Sequence, residues 1–213
     1  MKGTRSLPAT KPRKPMQTSR KLFLAVMIGL CSTVYGNTSV DGKETHASSE
    51  VSLHYGINRV DLDGDGIKDM VVMGRHEYFN AHAFDYVSFL VYMPNADVNW
   101  HIVPFPRAKK RFRLLASGGA DCTLHDFRLY TPKHSKSKIL VVADRKFTKS
   151  YGEENTVTFT YYKLSKDPGH EDGPAVYFEQ TKVVKTEKKY CDVNRAMAEE
   201  LGLRYVRSPL LGI

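Results

Sequence analysis

From residue 51 onward, β-branched and aromatic residues recur in short runs separated by turn clusters, the pattern of a mostly antiparallel β protein. The clearest run is 156–164, where Val157, Phe159 and Tyr161 alternate with Thr156, Thr158 and Thr160. Successive side chains of a strand point to opposite faces, so this alternation predicts one apolar row that packs and one hydroxyl row that meets water. Further strands are predicted over 68–73, 84–93, 100–105, 111–116, 124–130, 139–143 and 176–184. Polar stretches bearing Pro or Gly at 94–97, 132–135 and 167–174 supply turns, and Ser117-Gly118-Gly119 reads as another because glycine takes positive φ cheaply. A single helical pattern lies near the C-terminal end, with Asp192 as N-cap, Val193, Ala196, Met197, Glu200 and Leu201 at helical spacing, and Gly202 as the stop. The expected fold is therefore mainly β: an antiparallel, sandwich-like single domain with one short C-terminal helix.

The first 36 residues follow a different pattern. A basic stretch through Lys21 runs into the apolar residues 22–31 and then the small residues 32–36, the order of a secretory signal, with cleavage expected near Gly36. The apolar run is shorter than the roughly 20 residues that cross a bilayer, and no second hydrophobic span follows; an uncleaved N-terminal anchor is the alternative. Residues 37–50 are rich in Thr, Ser, Asp, Glu and Gly and read as a mobile leader. That leaves 51–203 as the domain and 204–213, with Pro209 and Gly212, as a tail.

Composition narrows this further. With 41% hydrophobic and 11% aromatic residues the chain can build a core, which excludes a disordered protein. The net charge of +9 suggests nucleic acid, but seven of those charges (Lys2, Arg5, Lys11, Arg13, Lys14, Arg20 and Lys21) lie in the signal, which carries no acid. No nucleic-acid partner is expected. Of three cysteines, Cys31 lies in the signal, leaving Cys122 and Cys191 in an oxidising compartment, either as one disulfide or as two buried thiols. Cys191 precedes the helix cap, so a bridge would pin the helix to the body of the domain.

The sharpest local chemistry is the acidic loop 61–69, DLDGDGIKD. Asp61, Asp63, Asp65 and Asp69 alternate or nearly alternate around glycines, and such carboxylates can converge on a hard cation such as calcium. An EF-hand would need Glu where Val72 stands, so the loop is closer to the short calcium loops of β-propeller repeats, in a single copy that excludes a propeller. The alternative is a metal-free hairpin turn whose carboxylates cap backbone amides. Hydrolytic signatures are absent. The eight histidines lack zinc spacing, and His125-Asp126 would point to opposite strand faces. Ser135 to Lys138 matches S-x-x-K only within a basic turn, and there is no G-x-S-x-G elbow. The chain is expected not to be an enzyme.

The segment 75–85 follows a strand and gathers charged, amide and aromatic groups, which makes Arg75, Glu77, Asn80, His82 and Asp85 candidate ligand-binding residues. Tyr55 to Val60, followed by DLDGDGIKDMVVMGRHEYFNAHAFD, SGGADCTLHDFRL, VVADR and KKYCDV, resembles the carbapenem intrinsic-resistance CarG-like family over roughly 51–203. The resemblance implies a periplasmic protein that protects against a carbapenem without destroying it, through sequestration, shielding of a cell-wall transpeptidase, or help to another envelope factor. Arg75 and Arg145 are then candidates to hold the drug carboxylate, or else to form salt bridges with Asp85 or Asp144. A different class of function, a calcium-stabilised exported adhesion or carbohydrate-binding module, would centre on the acidic loop.

Overall fold

The strands among the described residues form one sheet that packs over its own core. A computed structural model describes residues 49–77, 83–105, 111–118, 122–167 and 173–206. Among these, ten strands form one antiparallel sheet: β1 (Ser49–Glu50), β2 (Gly56–Val60), β3 (Asp69–Glu77), β4 (Ala83–Tyr92), β5 (Trp100–Ile102), β6 (Leu114–Gly118), β7 (Thr123–Thr131), β8 (Ile139–Arg145), β9 (Asn155–Lys166) and β10 (Val176–Tyr190). The strand order is β10-β9-β8-β7-β6-β4-β3-β2. β5 continues the edge of β4 beyond β6, and β1 pairs with β7. The chain ends its regular structure in helix α1 (Val193–Leu201). The expected signal (1–36), residues 37–48 and the end of the expected tail from 207 lie outside the described residues.

The main core draws from strands across the sheet: Val71 on β3, Val87, Phe89 and Val91 on β4, Phe127 and Leu129 on β7, Leu140 on β8, Leu164 on β9 and Phe178 on β10. Sheet thus packs on sheet, as a sandwich-like pattern requires, with one continuous sheet supplying both layers. The seam is the stretch after β5, where Val103 N–H donates to Phe89 C=O at 2.9 Å and Phe178 N–H to Pro104 C=O at 3.1 Å. There Phe105 stacks on Phe178 at 4.5 Å between centroids, and Phe89 meets both rings edge-on.

A second core lies on the other face of β7–β10. Val157, Phe159 and Tyr161, the alternating row of β9, pack with Val141 and Ala143 of β8 against Val193, Ala196, Met197 and Leu201 of α1. β8 is buried on both faces, which explains its unbroken apolar stretch. Asp192 caps α1 by accepting from Asn194 N–H at 2.7 Å, and Gly202 closes it in the left-handed region at φ 66°. Cys122 and Cys191 form a disulfide with Cα atoms 5.6 Å apart, fastening the start of β7 to the helix cap. No helix among the described residues is long and apolar enough to cross a membrane.

Several segments depart from the sequence expectation: the strand expected over 111–116 runs instead over 114–118, and the threonine row of β9 is half-buried on the side that carries Leu164 of the main core. Ser117 and Gly118 are not a turn but the end of β6, paired with both β4 and β7. The last two residues of the leader, Ser49 and Glu50, form β1, and Arg204 N–H of the tail donates to the Glu50 carboxylate at 2.9 Å. In β2 the polarity of the faces is inverted: Ile57 is 57% exposed while Asn58 is buried. The Asn58 side chain replaces water with backbone, donating to His54 C=O at 2.8 Å and Val71 C=O at 3.1 Å and accepting from His54 N–H at 2.9 Å.

Candidate functional site

Arg75 and Asp85 were candidates because they flank one strand connection, and the register of β3 with β4 places them directly opposite each other. Asp85 is buried and accepts from Arg75 Nε at 3.0 Å and from the Tyr55 hydroxyl at 3.0 Å. Arg75 also donates to the Tyr55 hydroxyl oxygen, and its guanidinium lies 5.1 Å from the centroid of that ring. Burial and the neighbouring Asp85 carboxylate push the Tyr55 phenol up to about 12. The bond to Asp85 holds the Arg75 guanidinium above its ordinary value. The structural salt bridge named as the alternative for Arg75 is therefore present, with Tyr55 as a third member. Asp85 also lines a small cavity of about 130 Å³ with Glu50, Asp126 and Arg128. Arg128 ties that wall together, 3.2 Å from Glu50 and 3.0 Å from Asp126. Glu77 ends β3 opposite Ala83; Asn80 and His82 lie outside the described residues.

Arg145 does not join this group. It is fully buried at the end of β8, and its guanidinium donates to the main-chain carbonyls of Tyr151 and Glu153 rather than to Asp144. Burial pushes the guanidinium down from its ordinary value. These bonds tie the 151–153 loop to the end of β8. Asp144 instead pairs with His125, Nδ1 to Oδ1 at 2.6 Å, while Asp126 turns to Arg128. The register of β7 with β8, which sets His125 opposite Asp144, makes this pair. Ser117 sits opposite His125 in the register of β6 with β7. No adjacency in sequence could reveal either relation.

The acidic loop divides. Asp61, Asp63 and Asp65 each place a carboxylate oxygen within 4.8 Å of the others. Asp69 leaves the group: it is buried and accepts from Leu62 N–H and Tyr92 N–H, both at 3.0 Å. Burial, reinforced by the nearby charges of Asp63 and Asp65, pushes its carboxyl up to about 6. The three that converge also cap the turn, Asp61 accepting from Gly64 and Gly66 N–H and Asp65 from Ile67 N–H. Their all-oxygen donor set suits a hard cation such as calcium. However, the Lys166 ammonium already bridges Asp63 and Asp65, so a metal would have to displace it. The loop docks on the S-x-x-K turn, with Lys138 N–H donating to Leu62 C=O at 2.8 Å and the Ser137 hydroxyl to Asp63 C=O at 2.6 Å. That turn is a docking platform for the acidic loop.

The family described as "Carbapenem resistance protein CarG-like" matches residues 53–199, from just before β2 into α1. A solved structure described as "Crystal structure of CarG" is similar at 25% identity with a TM-score of 0.61, covering 78% of this chain and 99% of that one. None of the curated proteins matches. The family match spans the acidic loop, the Arg75–Asp85 pair and both cysteines, and the structural likeness extends over nearly the whole of the solved chain. This chain belongs to the CarG-like family of carbapenem-resistance proteins.

Proposed function

We propose that this protein is exported to the periplasm and lowers susceptibility to carbapenems by occupancy rather than turnover, holding the drug or shielding the transpeptidase that it attacks. The observation that carries this reading is the family match over 53–199, supported by the likeness to CarG. Export is supported by the signal-like pattern of 1–36 and by the Cys122–Cys191 disulfide, which persists in oxidising compartments. The non-hydrolytic half draws on the sequence, which lacks both the G-x-S-x-G elbow and zinc-ligand spacing. The test is to express the chain with its export signal in a carbapenem-sensitive host and to follow drug integrity with the purified protein. Tolerance should rise while the drug stays intact. Unchanged tolerance counts against protection, and consumption of many drug equivalents per chain overturns occupancy.

A second reading, a calcium-stabilised adhesion or carbohydrate-binding module, is favoured by the convergence of Asp61, Asp63 and Asp65. It predicts that calcium raises and EDTA lowers the melting temperature, and that Lys166→Met enlarges the difference by removing the competing ammonium. Melting that ignores both calcium and chelator removes its foundation.

A further inference from the structure

α1 covers the outer face of the sheet at β7, β8 and β10, and the corresponding face of β3 and β4 carries a different kind of surface. Residues paired across antiparallel strands share a face. Val71 opposite Phe89 and Arg75 opposite Asp85 therefore define the inner side, while Gly74 opposite Tyr86, His76 opposite Phe84 and Val72 opposite Ser88 define the outer. None of these outer residues is acidic. Asp85, the nearest carboxylate along β4, is buried on the inner side against Arg75.

On this outer side lies an open cleft of about 450 Å³, lined by Gly74, Arg75, His76, Tyr86 and Arg113. Arg113 is exposed and its guanidinium lies 4.6 Å from the Tyr86 ring centroid. It also lines an adjoining cleft of about 390 Å³ with Ser88 and Arg111. Two guanidiniums, those of Arg111 and Arg113, thus border a trough whose wall includes an aromatic ring. Gly74 leaves space there: a Cβ added to it would meet nothing within 4 Å.

We propose that this trough is a binding site for a small organic carboxylate with a flat body. The Arg113 fork donates to the anion in a bidentate contact, the Ser88 hydroxyl offers a further polar contact, and the body of the ligand lies beside Tyr86 in the room left by Gly74. That a carbapenem, itself a carboxylate, is the natural occupant rests on the protective reading above; the selectivity for a carboxylate rests on the trough alone.

The test is a nuclear magnetic resonance titration of the full exported chain with benzoate and its neutral counterpart benzamide, followed by a carbapenem. Benzoate should shift the amide signals of Gly74, Tyr86 and Ser88, with benzamide binding at least about tenfold more weakly, the usual size of a charge-assisted contact. Arg113→Gln should weaken benzoate by a similar factor. Gly74→Leu should fill the trough and abolish the shifts while the melting temperature holds, since the added side chain enters open space. Equal binding of benzoate and benzamide, or wild-type affinity in Arg113→Gln, overturns the site. A carbapenem that shifts the same amides supports it as the occupant. If benzoate binds there and the carbapenem does not, the carboxylate site stands and the identification of its ligand falls.

Discussion

Asp69 shows how a residue chosen for one chemistry serves another. It belongs by sequence to the acidic loop, yet it is buried and bridges Leu62 N–H and Tyr92 N–H, joining the loop to β4. Asp69→Asn leaves one of these donors facing an NH₂ group and should cost about 1–3 kcal/mol in urea unfolding. The pH dependence follows from the direction of its shift. A carboxyl raised to about 6 in the folded state, against roughly 3.9 unfolded, takes up its proton first in the native protein. The contribution of this group to stability is therefore poorest above about pH 6 and improves as pH falls towards about 4. Denaturant midpoints measured across that range should lose this component in Asp69→Asn. Arg145 makes the complementary case. Arg145→Leu strips donors from the Tyr151 and Glu153 carbonyls and should cost about 3 kcal/mol while leaving any surface ligand untouched. Arg75→Gln should cost less, because Tyr55 continues to donate to Asp85. Asp69 was readable as acidic and Arg145 as basic. Their burial was not, because the partners are main-chain groups that carry no signature in the sequence.

At the scale of elements, the strands with strict alternation were legible and those with irregular patterning were not. β9 alternates because one of its faces packs on α1, and the row read from sequence is the row that is buried. β2 was hidden because its inward position is Asn58, whose amide is satisfied by backbone, while Ile57 faces outward. Ser117-Gly118 looked like a turn because glycine signals one, but here it sits at a register shift between β6 and β7, where a strand tolerates glycine. The acidic loop depends on its own glycine for space as well as for conformation. Gly64 has φ 83°, and a Cβ there would lie 2.7 Å from Lys136 Cβ and 2.8 Å from backbone of the facing turn. Gly64→Ala should therefore cost at least about 2 kcal/mol, more than the roughly 1 kcal/mol expected for Gly202→Ala at the helix cap, where only the left-handed backbone is strained. Thermal melts of the two variants side by side check the order.

Across the whole molecule, the disulfide joins the start of β7 to the cap of α1 over 69 residues of sequence. Replacing both cysteines with alanine should lower stability by about 4 kcal/mol in the chain-entropy account, read as a fall in the denaturant midpoint. The sequence alone determined what local spacing and counting can carry. It set the β character from residue 51, the helix from Asp192 to Gly202 with its caps, the even pair of cysteines and the loop that gathers Asp61, Asp63 and Asp65. Tertiary structure decided how distant groups were matched. It set His125 against Asp144 and Lys166 against Asp63, joined Tyr55 to Arg75 and Asp85, and placed the Arg113 guanidinium over Tyr86. These pairings bring together residues from 10 to 103 positions apart, as the sheet registers and the docking of one loop on another dictate. A period of two tells each residue which face it takes; only the curl of the sheet and the order of its strands determine what that face meets.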